Sequence, residues 1–241
     1  MSNRFIPSPQ DVAGYRAFRA LSMELNHKMV KTIPNRAFNE IGAALGVLRD
    51  GVLLLDNMDL GTVLMDCCLY DLFENGVNLV RRYATAHPAR PGTDEERLLS
   101  AYLQAKYRIL VTGTPVAGCG IHCRDILNEE DLFLMDIGLS GAVDDGVAAI
   151  ATRTIQLGEF HITTGAGLPI SSRDSMLEAL DGIETEQLSA SDGPGGVSFL
   201  IARSCIRAGG AKRLRYQNVA APAARPHRRR IFPIIAKRRR K

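Results

Sequence analysis

Tyr107-Arg108-Ile109-Leu110-Val111-Thr112 marks the place where the chain changes period. Before it, apolar residues recur every third or fourth position, as one face of an α-helix requires. From it onward they alternate or stand in short runs between glycines and prolines, as strands do. Gly113, Pro115 and Gly118 close the first run. Gly120-Ile121-His122-Cys123-Arg124-Asp125 and Leu132-Phe133-Leu134-Met135-Asp136 then flank Asn128-Glu129-Glu130, a hairpin signature. Val147 to Leu157 is aliphatic and β-branched, with Thr152 and Thr154 interleaved, and Phe160 to Thr164 follows the Gly158 turn. Five short strands joined by tight turns predict a small antiparallel barrel, since closure removes exposed strand edges.

Upstream, the spacing predicts helices. Asp11 is placed to cap the first, whose stripe holds Val12, Tyr15, Phe18, Leu21, Leu25 and Met29. Ile33-Pro34 ends it, because the residue before proline is pushed out of the α region. Asn35 is placed to cap a second helix with Phe38, Ile41 and Leu45 on one face and Gly46 as its stop. Arg49-Asp50-Gly51 is a turn signal, and Val52 to Leu55 is a short strand or extended link. Asp59 opens a third helix with Val63, Leu64, Cys67 and Tyr70 in its stripe, closed by Asn75-Gly76. A fourth runs from Val77 to Ala86. Thr93-Asp94-Glu95-Glu96 reads as a capping box ahead of a fifth carrying Leu98, Leu99 and Tyr102.

Downstream of the barrel, Ser172 caps a helix expected over Arg173 to Leu180. Ser189 to Gly196 is linker-like, and Val197 to Ile201 is a possible final strand. The resulting expectation is an α+β protein: a helical domain over 9–106, a barrel domain over 107–170, a short helix, linker and possible strand over 171–205, and a disordered basic tail over 206–241.

Charge is segregated along the chain. Residues 206–241 hold thirteen Lys and Arg and no acid. That leaves 17 of the 30 basic residues beside all 26 acidic ones, a net charge of −9 for the rest. Such blocks stay solvated and behave as interaction tails. Arg228, Arg229 and Arg230, with Lys237, Arg238, Arg239, Arg240 and Lys241, are the polyanion-binding candidates. Eight neutralised phosphates on duplex DNA give a log–log salt slope of about −7. The expected partners are an unknown macromolecule and, through the tail, nonspecific nucleic acid or an anionic surface. The same abrupt change at Ile206 is also what a shifted reading frame produces.

Five cysteines, two of them adjacent, and an N-terminus without a signal-peptide apolar stretch point to a reducing cytoplasm. No apolar run approaches the ~20 residues of a membrane helix. Cys119-Gly120-Ile121-His122-Cys123 carries the ligand types of a soft-metal site, with His161 as the remaining partner in the β segment. In a strand, however, Cys119 and Cys123 share one face and His122 takes the other. A packed strand without a cofactor is therefore the main expectation, and zinc at Cys119, Cys123 and His161 is the alternative. Cys123 or Ser140, with His122, His161, Asp125 or Asp136, supplies the residue types of nucleophilic catalysis but no nucleophile elbow. Asp125 is expected to fix a turn. Asp56, Asp59, Asp66 and Asp71 around the third helix read as a solvated face.

The chain resembles a group of uncharacterised bacterial proteins over residues 10 to 170. The resemblance is carried by Leu48-Arg49-Asp50-Gly51, Val63-Leu64-Met65-Asp66, Val116-Ala117-Gly118-Cys119-Gly120-Ile121, Arg124-Asp125-Ile126-Leu127, Ala151-Thr152-Arg153, Gly158-Glu159-Phe160 and Thr164-Gly165-Ala166. It implies a helical region plus a small barrel, related to proteins ending in a SEC-C motif. That motif is a zinc-binding segment resembling a partner-binding appendage of the protein-export ATPase. Here the motif itself is missing: after Cys205 only His227 is a zinc-ligand type, and a structural zinc needs about four ligands. The function expected is thus a non-enzymatic interaction or adaptor module. The alternatives are a metal-assisted hydrolase built on Cys119, His122, Cys123 and His161, or nucleic-acid binding through the tail.

Overall fold

The computed structural model describes residues 5–55, 58–142, 148–170, 172–189 and 196–209. The basic clusters at 228–230 and 237–241, Asp56 and most of the expected linker at 189–196 lie outside them.

Helix α1 (Pro9–Val30) starts with a capping box. Ser8 is the N-cap, its Oγ accepting from the Asp11 N–H at 3.2 Å while the Asp11 carboxylate accepts from the Ser8 N–H at 2.8 Å. Asp11 is thus the third-residue partner rather than the cap. Helix α2 (Asn35–Leu45) has Pro34, not Asn35, at its N-cap and receives no side-chain cap, while Gly46 ends it in the left-handed region at φ 78° as expected. Two hairpins interrupt the helical region. In the first, β1 (Leu48–Arg49) and β2 (Val52–Leu53) turn through Asp50-Gly51. Helix α3 (Met58–Tyr70) follows, and then β3 (Phe73–Glu74) and β4 (Val77–Asn78) turn through Asn75-Gly76, both at positive φ. Asn-Gly was expected as a helix stop, but its tolerance of two positive φ values makes it a hairpin turn. Helix α4 (Leu79–Ala86) therefore starts two residues late, with the Asn78 side chain capping the Arg81 N–H. In α5 (Asp94–Leu103) Thr93 caps the Glu96 N–H, and the Glu96 carboxylate reaches back to the Gly92 N–H at 2.7 Å.

The expected strands form a closed barrel: β5 (Lys106–Val116), β6 (Gly120–Asp125), β7 (Glu130–Leu134), β8 (Ala149–Leu157) and β9 (Phe160–Ile170), in the order β5-β6-β7-β9-β8. Four seams are antiparallel, and β7–β9 is parallel through Leu134 and His161. This departs from the all-antiparallel expectation for a reason of parity. Strand directions cannot alternate all the way round a ring of five, so one neighbouring pair must run the same way. The short helix α6 (Ile137–Ala142) begins the connection from β7 to β8.

The register sorts the barrel into two faces. Leu110, Ile121, Cys123, Leu132 and Leu134 form a small separate core inside it, with Ile150 packed on them. Tyr107, Ile109, Ala149, Ala151, Ile155, Leu157, Ile162, Ala166, Leu168 and Ile170 belong instead to the large core shared with the helices. They line the outer wall, which is covered by α3 at β9, by α5 at β8 and by a C-terminal helix at β5. One buried cluster thus runs from Tyr15 in α1 through the outer wall to Cys205.

That C-terminal helix is α8 (Gly196–Arg207), paired with α7 (Arg173–Ser189). The five residues Val197 to Ile201 by themselves suit a strand. The longer stretch shows Phe199, Ala202 and Cys205 buried at three-residue spacing, a helical period. Gly182 lets the two helices approach: a Cβ there would lie 3.1 Å from Ser204 Oγ.

Candidate functional site: two buried arginines

A charged residue in phase with the apolar positions of a strand has to be paired when the strand is buried. Arg153 stands in phase with Ala149, Ala151, Ile155 and Leu157 on the outer wall and is 2% exposed. Its Nε donates to Asp66 Oδ2 at 2.8 Å and its Nη2 to Asp71 Oδ2 at 2.5 Å. Thr164 Oγ1 donates to the other Asp66 oxygen at 2.8 Å. The guanidinium lies over the Tyr70 ring at 4.4 Å and near the Tyr107 ring at 5.2 Å, a favourable cation–π geometry. This overturns the reading of Asp66 and Asp71 as a solvated face. Both are buried, and they bind α3 and its following loop to the barrel wall.

Two carboxyls share one guanidinium, so the cluster holds an excess of negative charge if both ionise. Burial pushes Asp71 up to about 6, against the lowering effect of Arg153. The Cys67 thiol is driven well above its ordinary range, first by burial and then by the two carboxyls. Ligand atoms of Asp66, Cys67 and Asp71 lie within 4.8 Å of one another, the only such group of three among the described residues. The cation at this position is already supplied by Arg153.

The residues expected for zinc are dispersed. Cys123 is packed in the barrel interior, where burial raises its thiol to about 12. His122 lies on the opposite face, edge-on to Phe133 at 4.9 Å. Cys119 sits half-buried in the turn before β6, and His161 lies buried on β9. Ser140 Oγ donates to the Ile137 carbonyl at 2.8 Å, and the Asp136 carboxylate accepts from the Leu139 N–H at 3.0 Å, both local helix contacts. All five cysteines are free.

Asp125 fixes its turn as expected, accepting from the N–H groups of Leu127 at 3.0 Å and Asn128 at 3.3 Å. It also has a role not anticipated. Arg108, on the inner face in phase with Leu110, donates through Nη1 to Asp125 Oδ2 at 2.5 Å and to Glu130 Oε2 at 2.8 Å. This second arginine stands at one mouth of the barrel, where a cavity of about 550 Å³ is lined by Lys106, Arg108, Glu130, Thr154, Gln156 and His161, among others. Burial, then the charge of Arg108, lowers His161 to about 4, so its ring is neutral at pH 7. Neither arginine was singled out from the sequence. For Arg153 the signal was nevertheless present: it is a lone cation between Ala149, Ala151, Ile155 and Leu157 in strand phase, whereas Arg108 shares its face with Lys106 as well as Leu110.

The model of a family of unknown function, DUF7986, matches residues 9–182, which spans the helical region, the whole barrel and part of α7. The chain belongs to this family. No curated protein and no solved structure matches it. The match covers both arginine clusters and leaves α8 and the basic stretch outside.

Proposed function

We propose that the chain is a non-catalytic interaction module whose cationic end holds it on polyanions. The observation that carries this reading is the partition of charge: thirteen cations and no acid over 206–241, against a net −9 for the remainder. The geometry of the body supports it. Asp66, Asp71 and Asp125 are spent on arginines, and burial raises Cys67, Cys68, Cys123 and Cys205 away from the reactive thiolate. Val52, Leu54, Leu55 and Met58 stand exposed around the first hairpin and the start of α3, apolar surface of the kind partner proteins cover. No described helix is long and apolar enough to cross a membrane. Kinship with SEC-C proteins and a cytoplasmic setting belong to the same proposal.

The test is binding of a labelled single-stranded RNA against salt. For eight cations the log–log slope is about −6, at about −0.7 each. Replacing the eight residues at 228–230 and 237–241 by glutamine should flatten the slope and lose binding; unchanged binding overturns the tail's role. The competing hydrolase reading is decided by metal analysis of the purified chain. Near-stoichiometric zinc that disappears in Cys123→Ser would replace the non-catalytic reading.

A further inference from the structure

Helices cover the outer wall of the barrel at β9, β8 and β5, while α6 sends Leu139 onto the inner core. The outer face of β6 and β7 carries instead a cavity of about 360 Å³, within the range of small-ligand sites. The register builds its floor. Val111, Arg124 and Asp131 form one row across β5, β6 and β7, and His122 and Phe133 form the next. Two rings lie against the buried Phe133: His122, edge-on at 4.9 Å, and Phe5, ahead of α1, at 5.3 Å. Both of those rings are part-exposed and line the cavity. Beside them β5 bulges between Thr112 and Pro115, and a Cβ on Gly113 would lie 2.7 Å from the His122 carbonyl oxygen. Glu159, in the turn between β8 and β9, also lines the cavity.

We infer that this face binds a neutral oligosaccharide. The strand order, with its parallel seam between the third and fifth strands and a helix between the third and fourth, is that of the OB barrel. Such barrels take oligonucleotides or oligosaccharides on the face of their second and third strands, beside the loops that join strands one to two and four to five. A fold supplies the place and not the ligand, so the residues have to choose between the two. Charge decides. Of the described residues lining the cavity, Arg124 stands against two acids, Asp131 and Glu159, and is paired with Asp131 at 3.0 Å. A nucleic-acid strand needs a positive track for its phosphates, and here the arginine is more than offset. A sugar has no charge to match. Each of its hydroxyls both donates and accepts, and the lining offers both kinds of partner: N–H groups on Arg124, oxygens on Asp131 and Glu159. The Arg124 and Asp131 side chains are 51% and 71% exposed, so bonding capacity remains on each. The C–H face of a sugar ring suits the negative face of an aromatic ring, which Phe5 supplies at the cavity wall.

This site is separate from the cationic end of the chain, and its test reads the face directly. The full chain is titrated with maltopentaose, cellopentaose and chitopentaose, following heat by calorimetry and the His122 ring resonances by NMR. At least one of the three should move those resonances along the same saturation curve as the heat. Its affinity should be unchanged between about 50 mM and about 500 mM salt, because a neutral ligand releases no counterions. Phe5→Ala, which removes the ring at the cavity wall, should weaken binding about tenfold. Asp131→Ala, at an exposed position, should give a smaller loss. His122 resonances that stay fixed with all three sugars at about 10 mM overturn the proposal, as does an affinity unchanged or raised in Phe5→Ala. A five-nucleotide single-stranded RNA that moves the same resonances at a lower midpoint than any of the sugars assigns the face to nucleic acid and also overturns it.

Discussion

Arg153 and Arg108 are both buried strand cations, one on the outer face of the barrel and one on the inner, and meet opposite fates. Each is a cation in phase with apolar residues, and each is buried against two carboxyl groups. On the outer wall, Arg153 is closed off: two aspartates, two aromatic rings and a layer of helices surround it, its Nε and Nη2 are both paired with carboxylates, and the unpartnered groups beside it are the Tyr70 and Tyr107 hydroxyls. Inside the barrel, Arg108 has one fully buried carboxylate and one that is half in solvent, and its Nε has no partner. The lesson is that a buried charge by itself does not mark a binding site. What separates the two is their surroundings: one guanidinium is sealed between the barrel wall and the helices, the other borders a cavity.

The comparison breaks most clearly at Arg153. Arg153→Met leaves two buried carboxyls without their cation, which costs about 3–5 kcal/mol. Urea unfolding should show a loss of that size, and a loss below about 1 kcal/mol would mean that the cluster is not closed. Next in size is the pH dependence set by Asp71. Its folded value of about 6 lies above that of an unfolded aspartate, so the folded state holds the proton more tightly. The contribution is complete below about pH 4 and is lost as pH rises through 6. At 1.36 kcal/mol per unit, the shift amounts to about 3 kcal/mol. Asp71→Asn should remove that part of the decline in stability between pH 4 and pH 7, measured by denaturant midpoints. An unchanged profile would place the extra proton elsewhere. The smallest effect is expected for Arg108→Met, about 2 kcal/mol, because Asp125 keeps its turn donors and Glu130 turns to water. A loss equal to that of Arg153→Met would erase the distinction between the two sites.

Much of the architecture was legible before any coordinates. Gly46, Thr93 with Glu96 and the change of period at Tyr107 are local signals, and each is observed as a cap or a boundary. Two of the errors share one cause. Asn75-Gly76 and Val197 to Ile201 were read in windows too short to separate a helix stop from a hairpin turn, or a strand from a helix. Asp66 and Asp71 were misread because an acidic side chain on a helix faces water unless something buried needs it. The residue that needs them, Arg153, is 87 and 82 positions away.

The sequence by itself determined most of the helices, the five barrel strands that follow them, and that the cationic charge gathers at one end. These depend on neighbours within a few residues, where backbone preference and periodicity act. Even the parallel seam follows from the odd strand number once closure is granted. Only the tertiary structure decided which face of the barrel meets the helices, and hence which arginine is sealed and which opens on a cavity. Ring closure and helix docking bring together groups far apart in the chain, and the electrostatic energy of a buried charge depends on those neighbours in space.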